Sequence, residues 1–243
     1  MIEIKNLHKS FGGNKVLRGI DLTINTGESI AIIGKSGCGK SVLLKHIVGL
    51  IMPDEGDILV DGNSVTNLPK EKLYDIRKRF GFLFQGAALF DSMTVFENVS
   101  LPLVENNYNF TGEEIERLVE EKLSLVGLPG TENLKPSELS GGMKKRVGLA
   151  RALITNPEYI LYDEPTTGLD PVTSDSIDEL IKELNTKLNV TSIIVTHDMF
   201  SVKKTAERIA MIHEGKIYFS GDIEEMLGLN DPVIKNFVKR TGF

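Results

Sequence analysis

The sequence predicts an α/β protein with an antiparallel β subdomain and a helical lobe inserted into it. Three observations carry that prediction. Ser29–Ile33, Tyr159–Tyr162 and Ser192–Val195 are continuous apolar runs rich in β-branched residues, the pattern of parallel strands buried on both faces. Ile2–Leu7 and Ile20–Ile24 alternate between apolar and polar, as half-exposed antiparallel strands do. From about Gln85 to Thr155 strand patterning stops and helical patterning replaces it. A length of 243 residues fits one large domain, and 41% hydrophobic with 26% charged residues is the composition of a folded chain.

Taken in order, the alternating strands are followed by Ser29–Ile33, a glycine-rich turn and a helical pattern over Lys40–Leu50. Phe80–Phe84 is a further apolar strand and ends at Gln85. Inside the helical segment, Thr111 and Glu114 form a capping box that opens a helix over Thr111–Val126. Ile115, Leu118, Val119, Leu123 and Val126 share one face of it, so that face packs on something. Ser140 and two glycines precede the helical pattern Lys144–Thr155. Tyr159–Tyr162 then runs into two acids, Pro171–Leu188 and Met199–Arg208 read as helices, and Ile209–Ile212 with Ile217–Phe219 read as a hairpin turned at Glu214-Gly215-Lys216. After Gly221, Asp231-Pro232 starts a short helix expected to end near Phe243. The expected division of the single domain 1–243 is a core of 1–84 and 156–220, a helical lobe of about 85–155 and a helical tail of 221–243. The sequence shows no internal repeat and no low-complexity segment.

Several function classes are disfavoured at once. No stretch reaches the ~18 apolar residues of a membrane-spanning helix, and Met1–Lys5 lacks the basic-then-apolar pattern of a signal peptide. A single cysteine, Cys38, rules out an internal disulfide and a cysteine-built metal site. These features set the expectation of a soluble, cytoplasmic protein. Net charge is −6, from 34 acidic and 28 basic residues, whereas duplex binding calls for a basic excess. Arg77-Lys78-Arg79 and Lys144-Lys145-Arg146 are short and read as solvated helix faces, so no nucleic-acid partner is expected.

Gly34-Lys35-Ser36-Gly37-Cys38-Gly39-Lys40-Ser41 matches G-x-x-x-x-G-K-[ST] in full, between a strand and an apolar helical pattern. In that setting consecutive backbone N–H groups cradle phosphates at a helix N-terminus. Lys40 neutralises the β/γ-phosphates and the Ser41 hydroxyl is a ligand for Mg²⁺; Cys38 contributes its backbone. The implied ligands are ATP and Mg²⁺. Asp163, at the tip of Tyr159–Tyr162, can hold the metal, and Glu164, one residue on, can polarise an attacking water as general base. His197 follows the strand Ser192–Thr196 and so stands at the carboxyl edge of the sheet, where ligands bind in open α/β folds. A neutral imidazole there can bond the γ-phosphate. Gln85, at the end of Phe80–Phe84, offers an amide to metal or water.

Leu139-Ser140-Gly141-Gly142-Met143 makes a second anion site, with Ser140 as N-cap and two glycines exposing backbone N–H groups. One nucleotide does not need two such sites in one chain. The economical reading is a homodimer in which Ser140, Gly141 and Gly142 of each copy cover the other copy's ATP. Gly168-Leu169-Asp170-Pro171, with Asp170 capping the next helix, would lie at that seam.

With these motifs present in this order, the chain resembles the nucleotide-binding subunits of ABC transporters over essentially its whole length. The resemblance implies a P-loop NTPase (RecA-like) core. It makes Phe11 the aromatic that stacks on adenine, Gly34–Ser41 the Walker A motif, Gln85 the Q-loop, Leu139–Met143 the signature, Asp163 and Glu164 the Walker B acid and catalytic base, Asp170 the D-loop and His197 the H-loop switch. Met143 departs from the commonest LSGGQ form at its last position but leaves the glycine backbone intact. Leu-Ser-Gly-Gly-Met, with Gly86-Ala87-Ala88-Leu89-Phe90-Asp91-Ser92 after Gln85, resembles the Mla (maintenance of lipid asymmetry) branch. That branch implies two ATPase subunits, integral membrane permease subunits and an MCE-domain lipid-binding protein, moving phospholipid between bacterial membranes, with the ATPase held at the cytoplasmic side of the inner membrane. Gln85–Pro102 is then the permease-facing stretch, with Leu89 and Phe90 either docking or core residues, and the tail binds the partner subunit. An amino-acid or other small-solute importer shares every catalytic motif. A non-transport ATPase acting on DNA or ribosomes would call for long coiled coils or two cassettes in one chain, and a P-loop kinase would leave Ser140–Gly142 and His197 without a purpose.

Overall fold

The computed structural model describes residues 1–106 and 108–241. Its centre is a six-stranded sheet ordered β10-β9-β3-β8-β7-β6. β3 (Ser29–Ile33), β6 (Phe80–Leu83), β7 (Tyr159–Asp163), β8 (Thr191–Val195) and β9 (Arg208–His213) are parallel, and β10 (Lys216–Gly221) adds an antiparallel edge. β3, β7 and β8 are buried at every position, as their unbroken apolar patterning requires. A second, antiparallel sheet holds β1 (Ile2–Phe11), β2 (Asn14–Ile24), β4 (Glu55–Val60) and β5 (Asn63–Ser64) in the order β2-β1-β4-β5. The sheets are tied by Arg18 N–H donating to Gly215 O at 2.8 Å.

α1 (Lys40–Ile47) fills the space between the sheets through Leu43, Leu44 and Ile47, all fully buried. It stops short of the expected Leu50 because Gly49 N–H bonds His46 O and Leu50 N–H bonds Lys45 O, a closing pair that ends the helix. α2 (Lys70–Arg77) precedes β6. The helical segment contains α3 (Val95–Glu105), α4 (Gly112–Leu125) and α5 (Gly141–Leu153). Thr111 caps α4 in the expected box with Glu114, and Val119, Leu123 and Val126 are fully buried beneath it. α5 starts at Gly141, earlier than the helical pattern, and lies against β6, so the helical segment and the sheet share one core through Leu83, Ile160 and Tyr162. α6 (Pro171–Leu188) agrees with its pattern to the residue. α7 (Met199–Thr205) is shorter than expected because Arg208 is drawn into β9, paired with Ile30 of β3.

The tail forms two helices, α8 (Ile223–Gly228) and α9 (Pro232–Thr241). The expected end near Phe243 lies outside the described residues. Ile234 and Phe237 of α9 bury in a third core cluster with Ile33, Met199 and Met211, on the face of the sheet opposite α1. The basic clusters are not the solvated faces their shortness predicts. Arg77 donates to Val48 O at 2.9 Å and Gly49 O at 2.6 Å, Arg79 pairs with Glu158 and Asp61 at 2.5 Å, Arg146 donates to Val126 O at 2.6 Å, and Lys145 is 5% exposed. Such side chains cap free carbonyls at element ends, a role that sequence spacing does not reveal. Among the described residues no helix is long and apolar enough to cross a membrane.

Candidate functional site

The carboxyl ends of four adjacent strands, β3, β8, β7 and β6, deliver Gly34, His197, Glu164 and Gln85 to one edge of the sheet. There they line a cavity of about 680 Å³ together with Lys35, Ser36, Gly37, Gly39, Lys40 and Ser41. Gly39 caps α1 at φ 104, where a Cβ would stand 2.8 Å from Leu17 Cδ2, so the turn needs glycine there on both counts. Lys40 is nearly buried, donates to Gly34 O at 3.0 Å and Lys35 O at 3.3 Å, and stands 4.0 Å from Glu164 Oε1. A cation held over backbone N–H groups at a helix start is suited to a polyphosphate.

Ser41 Oγ donates to Asp163 Oδ1 at 2.7 Å. Burial pushes the Asp163 carboxyl up from the usual range, against the lowering effect of that hydroxyl. A hydroxyl, a buried carboxylate and the nearby Gln85 amide are hard oxygen donors, and this set fits Mg²⁺, which takes few protein ligands and completes its shell with water and phosphate.

Glu164 sits in the left-handed region at φ 51, a conformation that costs a non-glycine residue about 1–3 kcal/mol and concentrates at functional sites. Contacts from several elements hold it. Its N–H bonds Val195 O at 2.8 Å, Thr167 Oγ1 donates to Oε2 at 2.9 Å, and His197 Nδ1–H donates to Oε1 at 3.0 Å and Oε2 at 2.8 Å. The ring of His197 is mostly exposed. His197 thus holds the Glu164 carboxylate through Nδ1 while the ring lines the cavity.

Phe11, Cys38 and Asp163 are absent from the cavity lining, Asp163 standing behind Ser41, which bonds it. Phe11 ends β1, is 45% exposed and has the Lys9 ammonium 5.5 Å from its ring centre; Val16 of β2 lines the cavity instead. The Cys38 side chain packs against the core between the sheets, and burial pushes its thiol up. Ser140, Gly141 and Gly142 lie outside the cavity at the start of α5, where Ser140 Oγ accepts from Met143 N–H at 3.3 Å. Asp170 caps α6, accepting from Val172 and Thr173 N–H at 3.1 Å each. Leu89 is half-buried against the core of the helical segment and Phe90 is exposed, so the pair divides between core and surface. Sequence reasoning missed Phe237, Arg240 and Thr241 of α9, which form one wall of the cavity. The apolar spacing of Ile234 and Phe237 announces a packed helix but says nothing about where it packs.

The profile of the ABC transporter family matches residues 17–167, the span from within β2 to just past Asp163 and Glu164. The chain belongs to the ABC transporter family. The dimeric post-hydrolysis state of the ATP-binding cassette MJ0796, bound to ADP and Pi, is similar at 36% identity and a TM-score of 0.84, over 92% of this chain and 99% of that one. CbiO1 of Clostridium perfringens, part of an ABC transporter complex, is similar at 30% identity and a TM-score of 0.85, over 99% and 95%. The intermembrane phospholipid transport ATP-binding protein MlaF of Haemophilus influenzae is 42% identical over 98% of this chain and 90% of its own length. The probable ribonucleotide transport ATP-binding protein mkl of Mycobacterium leprae is 42% identical over 98% of this chain, which spans 68% of that relative. The chain spans 66% of the Mycobacterium tuberculosis relative. The methionine import protein MetN of Clostridium acetobutylicum is 46% identical over 93% of this chain and 70% of its own length. The chain is therefore an ATP-binding ABC ATPase.

Proposed function

We propose that this ABC ATPase powers phospholipid transport between bacterial membranes. The observation that carries the reading is the similarity to MlaF along nearly the whole of both chains. Leu139–Met143 and Gly86–Ser92 support it from the sequence. In this reading two copies of the chain bind ATP between them, integral membrane permease subunits hold them at the cytoplasmic side of the inner membrane, and an MCE-domain protein receives or delivers lipid. Methionine or other small-solute import is the second reading, favoured by the higher identity to MetN over a smaller share of that protein. The chain acts as one domain, with core 1–84 and 156–220, lobe 85–155 and tail 221–243.

Within each copy, Gly34–Ser41 hold the phosphates, and Phe11 reaches adenine from the end of β1. Ser41, Asp163 and Gln85 hold Mg²⁺, which when bound supplies charge neutralisation on the phosphates. Glu164 accepts the proton of the attacking water, oriented by His197 and Thr167. Ser140, Gly141 and Gly142 of the second copy complete the γ-phosphate site, and Asp170 lies at the seam. Replacing Glu164 by Gln keeps the side chain's size and removes the base, so ATP binding is expected to persist while turnover falls on the order of a hundredfold or more. Persistent hydrolysis would sink the assignment. Purification of the native complex tests the substrate class: phospholipid with an MCE-domain protein supports the proposal, and a soluble solute-binding protein in their place overturns it.

A further inference from the structure

α5 carries Ser140–Gly142 at its start and Lys145 one turn further in. Lys145 is 5% exposed, and its Nζ donates to Gln85 O and, at 3.1 Å, to Glu164 O. Burial pushes its ammonium down to about 8, against the pull of the Glu164 and Asp163 carboxylates. An apolar core position would avoid that desolvation cost; both bonds of Lys145 instead go to the backbone of residues already placed at the site. The same helix grips the loop after Gln85 a second time. Arg151 donates to Ala87 O at 2.5 Å and Ala88 O at 2.7 Å, at residues held in the left-handed region with φ 58 and φ 48. The carbonyls of Gln85 and Glu164 lie just beyond the ends of β6 and β7, two neighbouring strands, and Lys145 bonds both.

We propose that Lys145 is a positioning residue that clamps the signature helix to the backbone of Gln85 and Glu164, so that engagement of Ser140–Gly142 by a second copy's nucleotide sets the geometry of this copy's own general base. The proposal rests on the reading of Glu164 as that base. A helix is stiff along its axis, so a displacement at its first turn reaches Lys145 undiminished, and two hydrogen bonds carry it to the loop and the acid. Positional errors of about 1 Å at a reacting group cost up to about a hundredfold in rate. The geometry gives Lys145 no route to the reacting atoms, and its effect passes through Glu164 and Gln85.

The test compares Lys145→Met, which keeps the length without a donor, with Lys145→Gln, which keeps an uncharged N–H donor. The full chain is used, with Glu164→Gln alongside. Lys145→Met is expected to lower kcat on the order of tenfold to a hundredfold, with KM and the Kd of a fluorescent ATP analogue within about threefold of the parent. Lys145→Gln is expected to recover kcat to within about threefold of the parent. Parental turnover in Lys145→Met overturns the proposal, as does a loss of nucleotide binding in step with kcat, or a Gln variant as slow as Met. If Glu164→Gln itself turns over, it is the general-base reading that has failed, whatever Lys145 does.

Discussion

Gly34–Ser41 and Ser140–Gly142 both present backbone N–H groups at the start of a helix, yet the chain surrounds them differently. The first is roofed by its own molecule: Lys40 is almost buried, Ser41 is bonded to Asp163, and Glu164, His197 and α9 face the same cavity. The second has Ser140 and Gly141 exposed, with Leu169 and Thr173 pressed against its two glycines. A single copy thus lines a cavity with the first helix start and, apart from it, leaves the tip of the second exposed. In the two-copy reading proposed above, the two halves complete each other across a boundary between copies, the first binding alone and the second acting only in company.

The sharpest way to break that comparison is Ser140→Arg. It fills the exposed anion site with a long cation and leaves the cavity untouched, so ATP binding by the isolated chain is expected to stay within about twofold while hydrolysis falls on the order of a hundredfold, the loss expected when a phosphate-binding group is removed. Hydrolysis that is linear in protein concentration and indifferent to this change would contradict the two-copy site. Next in size is Gly142→Ala. A Cβ there would lie 2.6 Å from Thr173 Cγ2, so α5 must shift from α6 at a cost of about 1–3 kcal/mol. Thr173→Ser removes the offending methyl and retains the hydroxyl that bonds Asp170, so the double variant is expected to recover most of that loss in a denaturant titration. A fully stable single variant would show that the exposed end is loosely packed.

The smallest effect sharpens the other half. Asp178 is buried on α6 against α7, where Ser201 Oγ donates to it at 2.7 Å and its Oδ1 has no hydrogen-bond partner among the described residues. Burial raises its carboxyl to about 6, with Asp198 and Asp175 adding to the rise and Ser201 and Lys204 opposing it. A raised acid means the folded state holds the proton more tightly than the unfolded chain. Its contribution is therefore most favourable below pH ~4 and is lost as pH rises from ~4 through ~6. Asp178→Asn abolishes that dependence, so its stability relative to the parent is expected to grow across the same window by on the order of 1–3 kcal/mol. Parallel curves from pH 4 to 7 would remove Asp178 as a titrating group.

Much of this molecule was legible before its structure. The buried strands around Ser29–Ile33 and Tyr159–Asp163, the capping box at Thr111 and the helix from Pro171 to Leu188 are short-range statements, and each is encoded in neighbouring residues. β4 and α2 were not read from the sequence, because Glu55–Val60 alternates weakly and gains its strand from pairing with β1. Lys145 was misread as solvated for the same reason. Its partners lie at Gln85 and Glu164, and no local pattern distinguishes a buried lysine from its outward neighbour Lys144.

By itself the sequence determined the chemistry on offer: a phosphate cradle, two adjacent acids, a histidine and a second glycine-rich helix start, each a contiguous motif whose function depends on residues next to one another. Only the tertiary structure decided which of these meet. The order β3-β8-β7-β6 brings four loops to one edge. Packing of Phe237 beneath α9 brings Arg240 and Thr241 to the cavity, and packing of α5 on the sheet holds Ser140–Gly142 apart from it. Strand order and burial are settled by contacts between residues far apart in the chain, and such contacts leave their mark on the sequence only as hydrophobicity, which does not say against what.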